Sequence, residues 1–299
     1  MNAIEIRNLS KRFGSKQAVN GLNMTVPEGA IYGFIGENGS GKSTTEKMLC
    51  GLLVPSSGQI KLFGKDYTDS DVRANVGILI ESPGCYPNYS VWNNLMLQAS
   101  NLHIKNPKAE VSKVLKMVRM EGAASNKYKN CSLGMKQRIG IAMALLGNPA
   151  LLILDEPING LDADGMRIMR EVLTDVTKTG CTVVISSHLL GELEKIATHY
   201  GIIRGGKMIC EMTAVELENN CPTYIALQAK DMDKAQALLE RKYKRIKGEN
   251  QYVRVYDAVS PEEIVAYLHS CDVTVSEIKT DKISLEEYYI DLMGEKEGR

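Results

Sequence analysis

Short, continuous apolar runs dominate the chain before residue 219, and many of them lie between stretches of helical periodicity. An apolar run of about four to eight residues bounded by turn residues is typical of a strand buried on both faces. On this pattern we predict strands at residues 4–6, 21–26, 30–35, 59–64, 76–80, 151–154 and 181–186, and a hairpin at 200–203 and 207–210. Strands of this kind indicate an α/β fold with a mixed, mostly parallel sheet covered by helices.

Helical periodicity occupies most of the remaining sequence in this part of the chain. We predict helices at residues 43–50, 91–99, 107–120, 133–146, 163–178 and 189–197. Residues 3–35 are β-rich, whereas residues 90–147 contain three helices and no strand pattern. The sequence therefore predicts an N-terminal β region and a helical subdomain, at about residues 85–147, inserted in the α/β core.

The pattern changes at residues 219–222, which read Asn-Asn-Cys-Pro. Beyond them we predict strands at 224–227, 252–256 and 273–278 and helices at 232–242, 261–270 and 285–293. We therefore expect two domains, a large one at residues 1–218 and a small accessory α+β domain at residues 222–299.

Composition argues against several classes of function. The 36 basic and 36 acidic residues balance, so no overall field favours nucleic acid or an anionic membrane. The seven cysteines form no C-x-x-C pair, which suits reduced thiols rather than disulfides or zinc. No signal peptide or apolar run of about 18 residues is present, so any membrane activity would need another chain as the pore.

One stretch carries a specific chemistry. Residues 36–44 match the phosphate-loop pattern G-x-x-x-x-G-K-[ST], between a predicted strand and a predicted helix. This context argues against a glycine-rich turn that fits by chance. The predicted nucleotide-binding residues are Gly36, Glu37, Asn38, Gly39, Ser40, Gly41, Lys42, Ser43 and Thr44. Lys42 would reach the β- and γ-phosphates of a nucleotide, and the Ser43 hydroxyl would hold Mg²⁺.

Three polar residues follow buried strands in the order that a phosphate-loop NTPase needs. Asp155 ends the strand at 151–154 and is placed to organise Mg²⁺. Glu156 is a candidate general base for an attacking water. His188 follows the strand at 181–186; a lone histidine is more often structural, but this position favours a catalytic role.

Two further features each allow more than one interpretation. Ser132 and Gly134 open a predicted helix and form a second candidate anion site. Because one chain binds one γ-phosphate, a second site suggests pairing with another subunit. Phe13 is either a core residue or an aromatic that stacks on adenine.

Together these motifs resemble those of the nucleotide-binding subunit of an ATP-binding cassette (ABC) transporter, over about residues 3–218. The Walker A motif corresponds to residues 36–44, the Walker B motif to 151–156 and the D-loop to 159–162, which includes Asp162. Ser132 and Gly134 match the signature motif, His188 matches the switch histidine, and Phe13 falls at the adenine-stacking position.

The resemblance implies an ATPase that uses ATP and Mg²⁺. It also implies a head-to-tail homodimer in which Walker A of one subunit faces Ser132 and Gly134 of the other, with Asp162 nearby. A membrane-embedded permease would dock against the helical insert, which places the protein at the cytoplasmic face of a membrane. No nucleic-acid partner is expected.

Two positions depart from the usual family pattern. Leu133 and Met135 replace a glycine and a glutamine of the signature, and Glu81 stands where a glutamine is usual. A carboxylate accepts hydrogen bonds only and adds negative charge. We therefore expect Glu81 to be a metal-binding and catalytic residue that contacts Mg²⁺ more tightly than a glutamine would. Its negative charge should also repel phosphate, unless the carboxylate is protonated.

Both departures resemble one branch, the ATPases of bacitracin-type and lantibiotic self-protection exporters. This branch also carries a small C-terminal domain, which fits residues 222–299. The resemblance implies export of an antimicrobial peptide.

Alternatives are a soluble relative acting on ribosomes or DNA, an importer ATPase, or a phosphate-loop kinase. Residues 222–299 contain 12 Lys or Arg against 15 Asp or Glu, which disfavours nucleic acid. The basic cluster at 241–247 is either a solvated helix end or a contact for anionic lipid.

Overall fold

A computed structural model describes residues 1–249 and 252–294. Its internal contacts divide the chain into two compact units, Met1–Ala214 and Val215–Arg299. Each unit has its own cluster of buried apolar side chains. Among the described residues, no helix is both long enough and apolar enough to cross a membrane.

An antiparallel sheet forms the N-terminal β region of the first unit. Its strands, in the spatial order β2-β1-β4-β5, are β1 (Asn2–Phe13), β2 (Lys16–Pro27), β4 (Ser57–Leu62) and β5 (Lys65–Asp66). Alternate side chains such as Ile4, Ile6 and Met24 are buried on one face. The predicted strands at 4–6 and 21–26 are confirmed but are longer, because pairing between β1 and β2 continues to the turn at Gly14 and Ser15.

A six-stranded sheet forms the centre of the first unit, in the order β10-β9-β3-β8-β7-β6. Its strands are β3 (Ile31–Ile35), β6 (Val76–Leu79), β7 (Leu151–Asp155), β8 (Thr182–Ser187), β9 (His199–Arg204) and β10 (Lys207–Thr213). Only the edge strand β10 runs antiparallel to its neighbour. The parallel strands therefore end at the same edge, where their following loops meet.

Six α-helices of the first unit lie at predicted helical segments, and the short helix at residues 70–73 was not predicted. The helices of this unit are α1 (Lys42–Leu49), α2 (Ser70–Arg73), α3 (Val91–Asn101), α4 (Pro107–Met117), α5 (Leu133–Leu145), α6 (Ala163–Lys178) and α7 (Leu190–Leu193). Helices α3 to α5 form the predicted helical insert. The predicted helix at 189–197 is wrong in length, because the Thr198 N–H donates to the Ile31 carbonyl at 2.9 Å and the chain turns into the sheet.

The second unit contains an antiparallel sheet in the order β12-β13-β11-β14. Its elements are α8 (Ala214–Asn220), β11 (Thr223–Ala229), α9 (Met232–Lys242), β12 (Ile246–Glu249), β13 (Tyr252–Val255), α10 (Pro261–Ser270), β14 (Val275–Lys282) and α11 (Leu285–Gly294). The α+β pattern is confirmed. Strand β12 was not predicted because it holds one apolar residue, Ile246, and its strand form depends on pairing with β13.

Candidate functional site

The phosphate loop lies between β3 and α1, and its backbone is shaped by glycine. A Cβ on Gly36 would lie 2.5 Å from both the Ile203 carbonyl oxygen and Ser40 Oγ, so no side chain fits there. Gly41 has a φ of 113° and directly precedes α1. It has no side chain to cap α1, so the N–H groups of the first turn are free to face an anion.

Lys42 is folded into this loop and is almost fully buried. Its Nζ donates to the Gly36 carbonyl at 2.5 Å and to the Glu37 carbonyl at 3.2 Å. Ser40 Oγ is buried without a hydrogen-bond partner. An ammonium that is bound only to carbonyls and an unpartnered hydroxyl both suit an anionic ligand in this loop.

A cavity of about 240 Å³ lies over the loop. It is lined by Lys16, Ala18, Glu37, Asn38, Gly39, Gly41, Lys42, Ser43, Thr44, Asp155 and Glu156. The structure thus brings most of the predicted phosphate-binding residues to one surface, together with the two carboxylates predicted from the Walker B motif. Lys16 and Ala18 were not predicted; they line the cavity because β2 passes beside the loop.

Oxygen donors in this cavity fit Mg²⁺. The Ser43 hydroxyl and the Asp155 carboxylate both line it, and Mg²⁺ prefers one or two such donors completed by water and phosphate oxygens. Within residues 1–249 and 252–294, no group of three or more His, Cys, Asp or Glu side chains forms a complete metal cage. A magnesium ion held by these two oxygens would take its remaining ligands from water and phosphate oxygens.

Asp155 and Ser186 form a hydrogen-bonded pair at the ends of adjacent strands. They are register partners in β7 and β8, and Ser186 Oγ donates to Asp155 Oδ1 at 2.7 Å. Ser186 also accepts from the Glu156 N–H through its Oγ at 3.1 Å. Ser186 was missed by sequence reasoning, since a serine in a buried strand has no distinctive local signal.

Glu156 and His188 are brought together by the fold. His188 Nδ1 lies 2.8 Å from Glu156 Oε2. The Glu156 backbone has a φ of 48°, a left-handed conformation that is uncommon for this residue type. The chain turns away from β7 at Glu156, where the backbone N–H donates to Ser186 Oγ. The Glu156 residue itself lines the cavity.

Phe13 is not a core residue, because its side chain is 48% exposed. The Lys11 ammonium lies 5.2 Å from the ring centroid. Phe13 pairs with Lys16 across the β1–β2 turn, and Lys16 lines the cavity. The ring is thus available to solvent close to the phosphate site.

Ser132, Gly134 and Asp162 do not line this cavity. Ser132 caps α5 by accepting from the Met135 N–H at 3.3 Å, and Asp162 caps α6 by accepting from the Gly165 N–H at 2.8 Å. The two helix starts are neighbours: a Cβ on Gly134 would lie 3.5 Å from Leu161. They form a surface of the same unit that is separate from the cavity.

Glu81 also lies outside the cavity that Ser43 and Asp155 line. Its side chain is 72% exposed and forms an ion pair with Lys47, with Nζ to Oε1 at 2.9 Å. The pKa of Lys47 is raised, chiefly by this hydrogen bond. In this arrangement Glu81 is paired with the ammonium group of Lys47, a residue of α1.

Glu46 is a second residue that sequence reasoning missed. It lies on α1 with a fully buried side chain, and neither carboxyl oxygen has a hydrogen-bond partner. A signal was available, since this acidic residue stands three positions before Leu49, which was predicted to face inward on the same short helix. Only the tertiary structure shows that α1 packs against β7, the strand that ends at Asp155, and that Glu46 is buried.

Comparison with known proteins connects this geometry to one family. The family model described as "ABC transporter" matches residues 19–159. The chain is 37% identical over 298 residues to the bacitracin transport ATP-binding protein BcrA of Bacillus licheniformis, covering 97% of each chain. It is 40% identical over 208 residues to the lantibiotic transport ATP-binding protein SrtF of Streptococcus pyogenes, covering 70% of this chain and 90% of that relative.

Solved structures show the same fold. The cbiO1 protein of Clostridium perfringens, part of the cbiONQ ABC transporter complex, aligns with a TM-score of 0.67. It is 25% identical and covers 80% of this chain and 95% of that one.

Proposed function

Because the chain belongs to the ABC transporter family as an ATP-binding, ATP-hydrolysing subunit coupled to transport, we propose that it powers the export of an antimicrobial peptide. The observation that carries this proposal is the similarity to a bacitracin transport ATPase along 97% of both chains. That similarity includes the region after the cassette, which we propose is an accessory domain at residues 222–299 beside a cassette at 1–218.

In the proposed site, Ser43 and Asp155 hold Mg²⁺ with the nucleotide. Mg²⁺ held there would neutralise charge on the phosphate oxygens and so favour transfer of the γ-phosphoryl group to water, with ADP as the leaving group. The N–H groups of the loop and the first turn of α1 bind the phosphates. Lys42 exchanges its carbonyl partners for β- and γ-phosphate oxygens, which are stronger acceptors for an ammonium.

Glu156 accepts a proton from the attacking water or orients it, in the role of general base. His188 lies 2.8 Å from that carboxylate and is therefore placed to fix its orientation and to contact the γ-phosphate. Phe13 provides an exposed aromatic face for adenine. Hydrolysis removes the γ-phosphate and with it the contacts that this group makes.

We infer that two copies act together, head to tail. Ser132 and Gly134 lie at the exposed start of α5 and away from the cavity of their own chain. A helix start with a small residue and free N–H groups can bind an anion. The γ-phosphate bound by the other copy is the anion that this arrangement fits, with Asp162 at the same interface.

The proposed partner is a membrane-embedded permease at the cytoplasmic face of the cell membrane. A groove of about 340 Å³ lies where the loop after β6 meets the helical insert, and its lining includes Pro83, Leu102 and Met143. Beside it, Tyr86 and Tyr89 stack at 5.2 Å and are both about half exposed. A groove with a mixed polar and apolar lining and exposed aromatic side chains nearby is suited to a protein partner.

One experiment tests both partner and substrate. The tagged Glu156→Gln chain is purified with ATP from detergent-solubilised membranes of its host, with Lys42→Ala as the control that cannot hold phosphate. A polytopic membrane protein is expected with Glu156→Gln, and reconstitution of that pair is expected to raise resistance to bacitracin or a lantibiotic. Ribosomal or DNA-repair proteins without a membrane chain would contradict the transport role.

A further inference from the structure

The wall of the phosphate cavity carries a lysine that has no role in the reaction proposed above. Lys16 is the first residue of β2 and lines the cavity together with Lys42, Ser43 and Thr44. Unlike Lys42, which is almost fully buried in the loop, Lys16 is exposed. Its ammonium group can therefore meet a ligand that enters the cavity from solvent.

Three cationic residues flank the turn between β1 and β2, and two of them are engaged close to the turn. Lys11 Nζ donates to the Val54 carbonyl at 2.6 Å, and Arg12 Nε donates to the Gly14 carbonyl at 2.8 Å. In the part of the chain that the structure describes, the Lys16 ammonium forms no ion pair or hydrogen bond. Lys16 is therefore available to bind a ligand.

The position of Lys16 indicates which part of a nucleotide it would contact. Across the turn it is the register partner of Phe13, whose exposed ring is the proposed contact for adenine. Two residues further along β2, Ala18 lies on the same strand face and also lines the cavity. A Cβ on Gly41 would lie 2.7 Å from the Ala18 carbonyl oxygen, so β2 runs directly beside the phosphate loop. Lys16 thus lies between the proposed adenine position and the loop.

The charges around the cavity favour a second cation. Three acidic residues line it, Glu37, Asp155 and Glu156, whereas Lys42 and Lys16 are its basic residues. Lys42 is proposed to bind the β- and γ-phosphates. A lysine has three N–H donors on a long, flexible side chain, and its hydrogen bonds to phosphate oxygens are charge-assisted. Lys16 can supply such a bond to the remaining phosphate.

We propose that Lys16 is a nucleotide-binding residue that donates to the phosphate next to the adenosine, which ATP and ADP share. This contact persists after hydrolysis, because only the γ-phosphate leaves. Lys16 therefore contributes to the affinity for both nucleotides and not to the chemical step. The inference rests on the proposed placement of the nucleotide, with adenine at Phe13 and its phosphates in the loop.

The test compares Lys16→Met, Lys16→Arg and the parent, each as the full-length chain. Isothermal titration calorimetry with Mg²⁺ measures the affinities for ADP and for a non-hydrolysable ATP analogue. We expect Lys16→Met to bind both about tenfold more weakly, because each loses one charge-assisted hydrogen bond. In ATPase assays its KM for ATP should rise while kcat stays at the parent value. Lys16→Arg keeps a charged donor and should bind both nucleotides nearly as tightly as the parent.

Arg12→Met is the matched control, since it removes the same charge from the same turn, and it should leave both affinities unchanged. An equal loss of affinity in this variant would overturn the proposal, because the effect would then come from net charge and not from contact. Weaker binding of the ATP analogue with parent-like binding of ADP would also overturn it, since Lys16 would then act on the γ-phosphate.

Lys42→Ala separates this inference from the nucleotide placement on which it rests. Unchanged binding of both nucleotides in Lys42→Ala would refute the placement of the phosphates in the loop. Weaker binding in Lys42→Ala together with parent-like binding in Lys16→Met would leave that placement intact and refute only the role of Lys16.

Discussion

At the residue scale, the candidate site depends on pairs that are distant in sequence. Glu156 contacts His188 at 2.8 Å, and Asp155 contacts Ser186 at 2.7 Å. Each pair joins the end of β7 to the end of β8. In the proposed mechanism, the first pair orients the general base, and the second supports the carboxylate that organises Mg²⁺.

Glu156→Gln tests the first pair. The amide keeps the size of the side chain but cannot take a proton, so we expect hydrolysis to fall by about 10²- to 10⁴-fold while ATP binding persists. Steady-state ATPase activity and nucleotide-binding fluorescence measure the two effects. Hydrolysis at the parent rate would show that another group is the base.

Glu81→Gln tests the acidic residue at the usual glutamine position. Its ion pair with Lys47 is largely exposed, so its loss should change the free energy of unfolding by less than about 1 kcal/mol. We expect altered peptide resistance in cells with little change in ATP affinity. Glu110→Gln, which removes the ion pair with Lys113 in the helical insert, is the matched control. Unchanged resistance would remove Glu81 from the mechanism.

At the scale of elements, serine caps begin two helices of the same insert. Ser90 accepts from the Asn93 N–H at 3.0 Å at the start of α3, and Ser132 accepts from the Met135 N–H at 3.3 Å at the start of α5. The two caps are alike in chemistry. Only α5 is proposed to face a nucleotide. A comparison of Ser132 with Ser90 therefore distinguishes a role in helix capping from a role in ATP hydrolysis.

Ser132→Ala and Ser90→Ala should each cost about 1 kcal/mol of folding stability, since each removes one capping hydrogen bond. We expect ATPase activity to fall strongly only in Ser132→Ala. Chemical denaturation and ATPase rates measure the two quantities. Equal loss of activity in both variants would mean that Ser132 acts only as a cap.

At the scale of the whole molecule, the first unit carries the two surfaces that the proposed head-to-tail dimer would bring together. The phosphate cavity and the surface around Ser132 and Gly134 lie on separate parts of Met1–Ala214. Neither is complete for hydrolysis in the proposed mechanism. Activity should therefore depend on protein concentration.

ATP should double the mass of the Glu156→Gln chain in solution, because the retained γ-phosphate joins two copies. Light scattering with and without ATP and Mg²⁺ measures this. Lys42→Ala is the control and should stay monomeric. A Glu156→Gln chain that binds ATP without any change in mass would contradict the head-to-tail dimer.

Local patterns predicted much of the fold. The predicted helices at 163–178, 232–242 and 261–270 match α6, α9 and α10 in both bounds. Their periodicity and capping residues act within one element, so they can be read from adjacent positions. The phosphate loop was also predictable, because its glycines and lysine are contiguous.

What the sequence determined by itself was therefore the order and type of most elements and the identity of the phosphate-loop and Walker B residues, whose signals are local. The tertiary structure decided the rest. It paired β12 with β13, shortened α7, turned Glu81 towards Lys47 and buried Glu46 on α1. These features depend on contacts between segments far apart in the chain, and burial or a charge partner arises only when those segments pack together.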